Sequence, residues 1–183
     1  MEFKSKALIA DLQKMVTSHI EYVKHLQSLS ESKLSQKLNS QSWSVLECIE
    51  HLNLYAKFYN NEIEKRISKS SKSHSEIFKS GYLGNKSVVS MLPSQTMKTM
   101  NTFKNKNPIH SNFDKKKVLS NFINYQEELL DLLETSKNKN LTKIKTSLTL
   151  PLLKFRLGDT FRFIVYHNER HITQTKKILE SSS

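Results

Sequence analysis

The chain of 183 residues is 37% apolar, carries a formal net charge of +12 and has a single cysteine. Its length fits one domain, read as spanning residues 1–183, with a core of useful size. No apolar run approaches the roughly 20 residues that cross a bilayer, and the lone Cys48 excludes an intramolecular disulfide.

The charge is mostly lysine, 25 Lys against 4 Arg, scattered among Asn and Ser with one short run at Lys115, Lys116 and Lys117. Proteins that read nucleic acid lean on the planar fork of arginine. A solvated lysine-rich surface is therefore expected, with no specific nucleic acid and no membrane as partner. The N-terminal stretch alternates acidic and basic residues and lacks the layout of a signal peptide. With one cysteine, this predicts a cytoplasmic protein.

Glycine and proline number three each, which favours long helices over a turn-rich β fold. Four segments carry helical periodicity. The first covers residues 3–29, where Leu8, Leu12, Met15, His19, Tyr22, Leu26 and Leu29 recur at spacings of three and four. The second covers 44–68. Ser44 and Glu47 have capping-box spacing, Trp43 can act as a hydrophobic staple, and Val45, Cys48, Ile49, Leu52, Tyr55, Ala56 and Tyr59 form a wide apolar arc. These two segments, joined by a short polar stretch, are expected to pack antiparallel.

A connection of about 45 residues follows, too long for a simple loop in a compact domain. Its SKSSKSHS stretch reads as flexible, and GYLGNKSVVSML can hold a short helix ended by Pro93. The connection is expected to cross one end of the bundle. The third segment covers 114–136, opened by Asp114. The fourth covers 160–180, entered through Gly158 and Asp159. Partial alternation between them allows an extended piece, and the terminal serines should fray. The fold class is all-α: a four-helix bundle with a long connection between helices 2 and 3.

His167 and His171 are four residues apart, hence about 40° apart around a helix axis. Ile164, Thr160, Thr175 and Ile178 share their arc, whereas Arg162, Glu169 and Thr173 point the other way. Both imidazoles therefore face the core. Each needs its nitrogens satisfied there, by a metal ion or by hydrogen bonds. His51 falls within the apolar arc of the second segment and faces the core too. Three neutral imidazoles can take three positions on a tetrahedral ion and leave the fourth open, the layout of a catalytic site. Glu-x-x-His does not occur, and Asn168 stands where a zinc protease needs glutamate.

The segment Ser42–Trp43–Ser44–Val45–Leu46–Glu47, followed by Ile49–Glu50–His51–Leu52, resembles the second-helix motif of the DinB-like family. The segment His167–x–x–Arg170–His171–x–x–Gln174 resembles that family's last-helix motif, and Met97 to Pro108 resembles its approach to the third helix. The resemblance covers nearly the whole chain. It implies a four-helix bundle whose His51, His167 and His171 bind a divalent metal, zinc or nickel. The wider superfamily includes bacillithiol S-transferases and the mycothiol-dependent maleylpyruvate isomerase, so the resemblance fixes the site better than the chemistry.

Two roles stay open for each of several residues around this site. Gln174 is a partner behind a ligand or a polar flank. Arg170 anchors an anionic substrate or pairs with an acidic neighbour. Glu47 and Trp43 read as cap and staple ahead of site residues, and Cys48 as a buried free thiol. His19 is a core residue, a group behind a ligand or a fourth ligand. His25, His74 and His110 carry no pattern. The expected function is a metal-dependent thiol S-transferase or hydrolase acting on a small-molecule substrate, such as a low-molecular-weight thiol. A non-catalytic metal-binding or stress-response protein is the alternative, a lysine-driven binder with a structural metal is a third reading, and a homodimer is left open.

Overall fold

A computed structural model describes residues 1–92, 102–109, 111–150 and 152–181. Pro93, His110, the last two serines and the start of the Met97–Pro108 stretch lie outside the described residues. Six helices dominate: α1 (Ser5–Leu26), α2 (Glu31–Ser35), α3 (Val45–Ser68), α4 (Tyr82–Met91), α5 (Lys115–Ser136) and α6 (Leu157–Glu180). Four strands of three residues each form two antiparallel pairs. β1 (Glu2–Lys4) pairs with β2 (Ile77–Lys79), and β3 (Lys145–Ser147) with β4 (Lys154–Arg156). The chain is an all-α bundle of the four long helices, and none of the described helices is long and apolar enough to cross a membrane.

The caps account for where the helices begin. Ser44 accepts a hydrogen bond from the Glu47 backbone N–H, and the Glu47 carboxylate accepts one from the Ser44 N–H at 2.7 Å, a complete capping box. Lys37 adds an ion pair to Glu47 at 2.7 Å, so this carboxylate is held as a cap. Asp114 caps α5 by accepting from the Lys117 N–H. Lys115, from the basic run, donates to the carbonyls of Gln27 and Leu29 just past α1, where the helix leaves acceptors unfilled.

Hydrogen bonds between helices give their directions. Asn53 bonds to the Val118 carbonyl and Asn60 to the Tyr125 carbonyl, so α3 and α5 run parallel. His19 meets Glu169 and Tyr22 meets Thr175, so α1 and α6 run parallel too. The main helix contacts are α1 with α5, α5 with α3, α3 with α6 and α6 with α1. Thus α1 and α3 are antiparallel, as expected, but they sit diagonally rather than as packed neighbours. A parallel α3–α5 pair forces the intervening connection to travel the length of the bundle instead of crossing one end.

That connection is tied down along its route. Its start meets the N-terminus of α1, where Ser5 bonds to the carbonyls of Ser75 and Glu76. The stretch expected to be flexible is irregular but bridged at Ser73 to Lys139, and it leads into β2. Next, α4 packs on the first half of α6. The buried Asp159 carboxylate accepts from the Gly81 N–H at 2.8 Å and from the Ser80 hydroxyl. Arg162, expected on an outward face, is buried here. It pairs with Asp159, donates to Asn85 at 3.1 Å and lies 4.4 Å from the Phe3 ring. The helical projection failed at Arg162 because α4 covers what would otherwise be the solvent face of α6. A Cβ on Gly84 would stand 2.5 Å from the Asp159 carboxylate, so only glycine permits this approach.

Two apolar clusters fill the bundle. One joins Leu8, Leu12, Ile63, Leu129, Leu133 and Phe161 at the end where α1 begins. The other joins Val23, Leu26, Ile49, Leu52, Leu119 and Ile172 at the opposite end. The histidines lie at the side of the second.

Candidate metal centre

His51 projects from the second turn of α3, while His167 and His171 project from successive turns of α6. Because α3 and α6 are packed neighbours and antiparallel, the three rings meet. Each offers one nitrogen, and these atoms all lie within 4.8 Å of one another. The Nε2 atoms of His51 and His167 are 3.2 Å apart. Two imidazole nitrogens each about 2.1 Å from a tetrahedral ion stand about 3.4 Å apart, so this spacing fits such an ion.

The far sides of two rings are already engaged. His51 Nδ1 donates to the Lys106 carbonyl at 2.7 Å, and His171 Nδ1 donates to Gln174 Oε1 at 3.0 Å. A carbonyl oxygen can only accept, so each bond places the proton on Nδ1 and leaves the Nε2 lone pair facing the other histidines. Burial acts in the same direction by opposing the charged form. It lowers His51 to about 4 and His171 to about 3, and it pushes His167 well below the usual histidine range. Neutral imidazoles with converging lone pairs form a donor set that suits a transition metal.

Aromatic rings wall the cluster. Trp43 lies 4.6 Å from the His51 ring and 5.6 Å from His171, held by its indole N–H to Asn107 Oδ1 at 3.1 Å. Tyr55 lies 4.8 Å from both His51 and His167, and Phe163 stacks on His167 at 5.9 Å. Burial raises the phenols of Tyr55 and Tyr59, the latter to about 12, so both stay neutral. Thr102 and Thr149 stand against Tyr55 and partly offset its rise.

Of the remaining candidates, Gln174 is hydrogen-bonded to His171 rather than left as a free polar flank. His19 is a core residue paired to Glu169 at 2.8 Å, outside the histidine cluster. Arg170 is half-buried, and its charge helps to lower His167 and His171. Cys48 is buried, and burial pushes its thiol up, so it offers no ready thiolate. His25 is exposed and His74 half-buried.

Trp43 is a wall of the site as well as a staple, which its position before the cap did not reveal. Tyr55 and Phe163 were detectable, since each is four residues from a candidate histidine. The Lys106 carbonyl was not, because a main-chain atom in a segment without periodicity gives no sequence signal.

The fold and the cluster together define a helical bundle with a three-histidine centre able to hold a metal ion. The chain belongs to the DinB superfamily, whose family model matches residues 16–175. Neither the curated proteins nor the solved structures yield a match.

Proposed function

We propose that His51, His167 and His171 hold one divalent transition-metal ion, of zinc or nickel type, and that the chain is a metal-dependent thiol S-transferase or hydrolase. The observation that carries this reading is the convergence of three ring nitrogens while Nδ1 of two of the rings is occupied by carbonyl oxygens. When bound, such an ion supplies Lewis acidity and lowers the pKa of a water or thiol at its open position. The protein's share is preparation. The Lys106 carbonyl and Gln174 hold two rings in the ligating tautomer, while Trp43, Tyr55 and Phe163 restrict water around them. Among the described residues the metal-type cluster contains no carboxylate, and Glu169 is held by His19. A substrate's own ionisable group is therefore the proton source this reading favours. The lysine-rich surface favours an anionic cosubstrate such as a low-molecular-weight thiol.

Elemental analysis of protein prepared without a histidine tag should find about one equivalent of transition metal per chain. A panel of electrophiles should then show metal-dependent turnover with bacillithiol, cysteine or glutathione, or metal-dependent hydrolysis. Near-zero occupancy after loading with Zn²⁺ or Ni²⁺ and dialysis would sink the metal centre. A loaded protein with no turnover would leave it as a non-catalytic metal-binding protein.

A further inference from the structure

A groove of about 530 Å³ opens between the C-terminal halves of α3 and α5, within the size range of small-molecule sites. Glu64 of α3 and Glu128 and Asp131 of α5 line it. All three are exposed, and none forms an ion pair among the described residues. Lys139, at one end of the groove, turns its ammonium to the Ser70 carbonyl at 3.4 Å. In a chain with 29 Lys and Arg against 17 Asp and Glu, three carboxylates on one groove reverse the charge locally.

Asn60 also lines the groove, and it is only 4% exposed. Its Nδ2 donates to the Tyr125 carbonyl at 2.9 Å and to the Glu128 carboxylate at 3.1 Å. Both partners accept, so the amide cannot be turned round without setting oxygen against oxygen. Its Oδ1 is left with no hydrogen-bond partner. Asn53 repeats this pattern one heptad earlier, with Val118 and Glu50, so the two amides help to fix the register of the parallel helices. Of the two, Asn60 is the one set in the groove. A buried acceptor and three carboxylates together suit a ligand that carries positive charge and N–H donors.

The acidic side chains do not converge as a metal site does. Among the described residues, the histidine trio is the one group gathered tightly enough for an ion. Asn60 is tied to Tyr125 and Glu128 across the parallel helices, so Glu64 and Asp131 both come one turn later, about 5 Å along the axis. Ile67 and Leu132 add apolar surface beside them. Carboxylates spaced along an apolar-sided groove match two ammonium groups joined by methylenes.

We propose that this groove binds an aliphatic diamine or polyamine. One ammonium lies between Glu128 and Asn60 Oδ1, a second lies at Glu64 and Asp131, and the methylenes rest on Ile67 and Leu132. A net charge of +12 repels cations at long range, so the groove itself must supply the attraction. The site shares no residue with the histidine cluster and stands apart from the metal-centre reading.

The test is isothermal titration of the full chain with butane-1,4-diamine and spermidine at low salt, with butylamine and Mg²⁺ for comparison. Both polyvalent amines should bind, and more weakly as salt is raised. Butylamine, with one ammonium, should bind about five- to tenfold more weakly than the diamine. The double variant Glu64→Gln, Asp131→Asn should lose diamine affinity by about the same factor. Its two positions are exposed, so the fold should hold, and circular dichroism checks it. Asp11→Asn with Glu31→Gln, which removes two exposed carboxylates elsewhere, should bind like wild type. In nitrogen-edited NMR spectra the diamine should move the Asn60 side-chain amide signals. Any one of five results would overturn the proposal: no binding, equal affinity for butylamine, displacement by an equal concentration of Mg²⁺, an equal loss in the control variant, or an unmoved Asn60 signal.

Discussion

The two halves of α6 bury polar groups in opposite ways. In the first half, Asp159 and Arg162 are buried against α4, and nearly every polar atom finds a protein partner. The Gly81 N–H, the Ser80 hydroxyl and the Asn85 carbonyl complete the network, with Arg162 Nε the exception. In the second half, His167 and His171 meet His51 with acceptor nitrogens turned toward one another. The first arrangement is closed and holds the long connection to the bundle. The second gathers three ring nitrogens within 4.8 Å of one another, a spacing that suits a bound cation. A buried polar network that satisfies itself is structural, whereas one that leaves lone pairs converging is a candidate for chemistry.

Breaking the closed half should have the largest effect. Asp159→Ala leaves a buried guanidinium without its counter-charge, which costs about 3–5 kcal/mol. Urea denaturation should show that loss, together with earlier proteolysis in the α4 segment. A loss under about 1 kcal/mol would mean that the connection is held elsewhere.

Breaking the open half should affect binding more than folding. His171→Ala should lower metal affinity by more than about 100-fold, beyond what loss of a partner behind a ligand causes. Helical circular dichroism should stay near wild type, because the apolar clusters rather than the histidines dominate burial. The rise in melting temperature on adding metal should vanish in this variant. His19→Ala should keep the metal. The assignment fails if His19→Ala empties the centre and His171→Ala does not.

Acidification sharpens the contrast with the smallest effect. The folded protein holds His51 and His171 below the ordinary histidine value, so the unfolded chain binds more protons between that value and about 4 or 3. The stability of metal-free protein should therefore be full above about pH 6.5 and fall as the pH drops below it. Urea midpoints at pH 7.5 and 5.0 measure this, and His171→Ala should show a smaller fall. An equal fall in both proteins would mean that His171 is not held neutral.

Much of this was determined by the sequence alone. The four long helices are set by local periodicity and caps, since Ser44–Glu47 and Asp114 need only neighbouring residues to act. The three histidines were identifiable because the 3.6-residue period places each on an apolar face. Tertiary structure decided which helices became neighbours, and the diagonal placement of α1 and α3 has no signature in either segment. It also decided that a face of α6 expected in water would be covered by α4, burying Arg162. The Lys106 carbonyl behind His51 comes from a residue 55 positions away on a segment without periodicity. Local spacing can specify which face of a helix is buried, but not what arrives to bury it, because that depends on contacts between parts of the chain that share no local pattern.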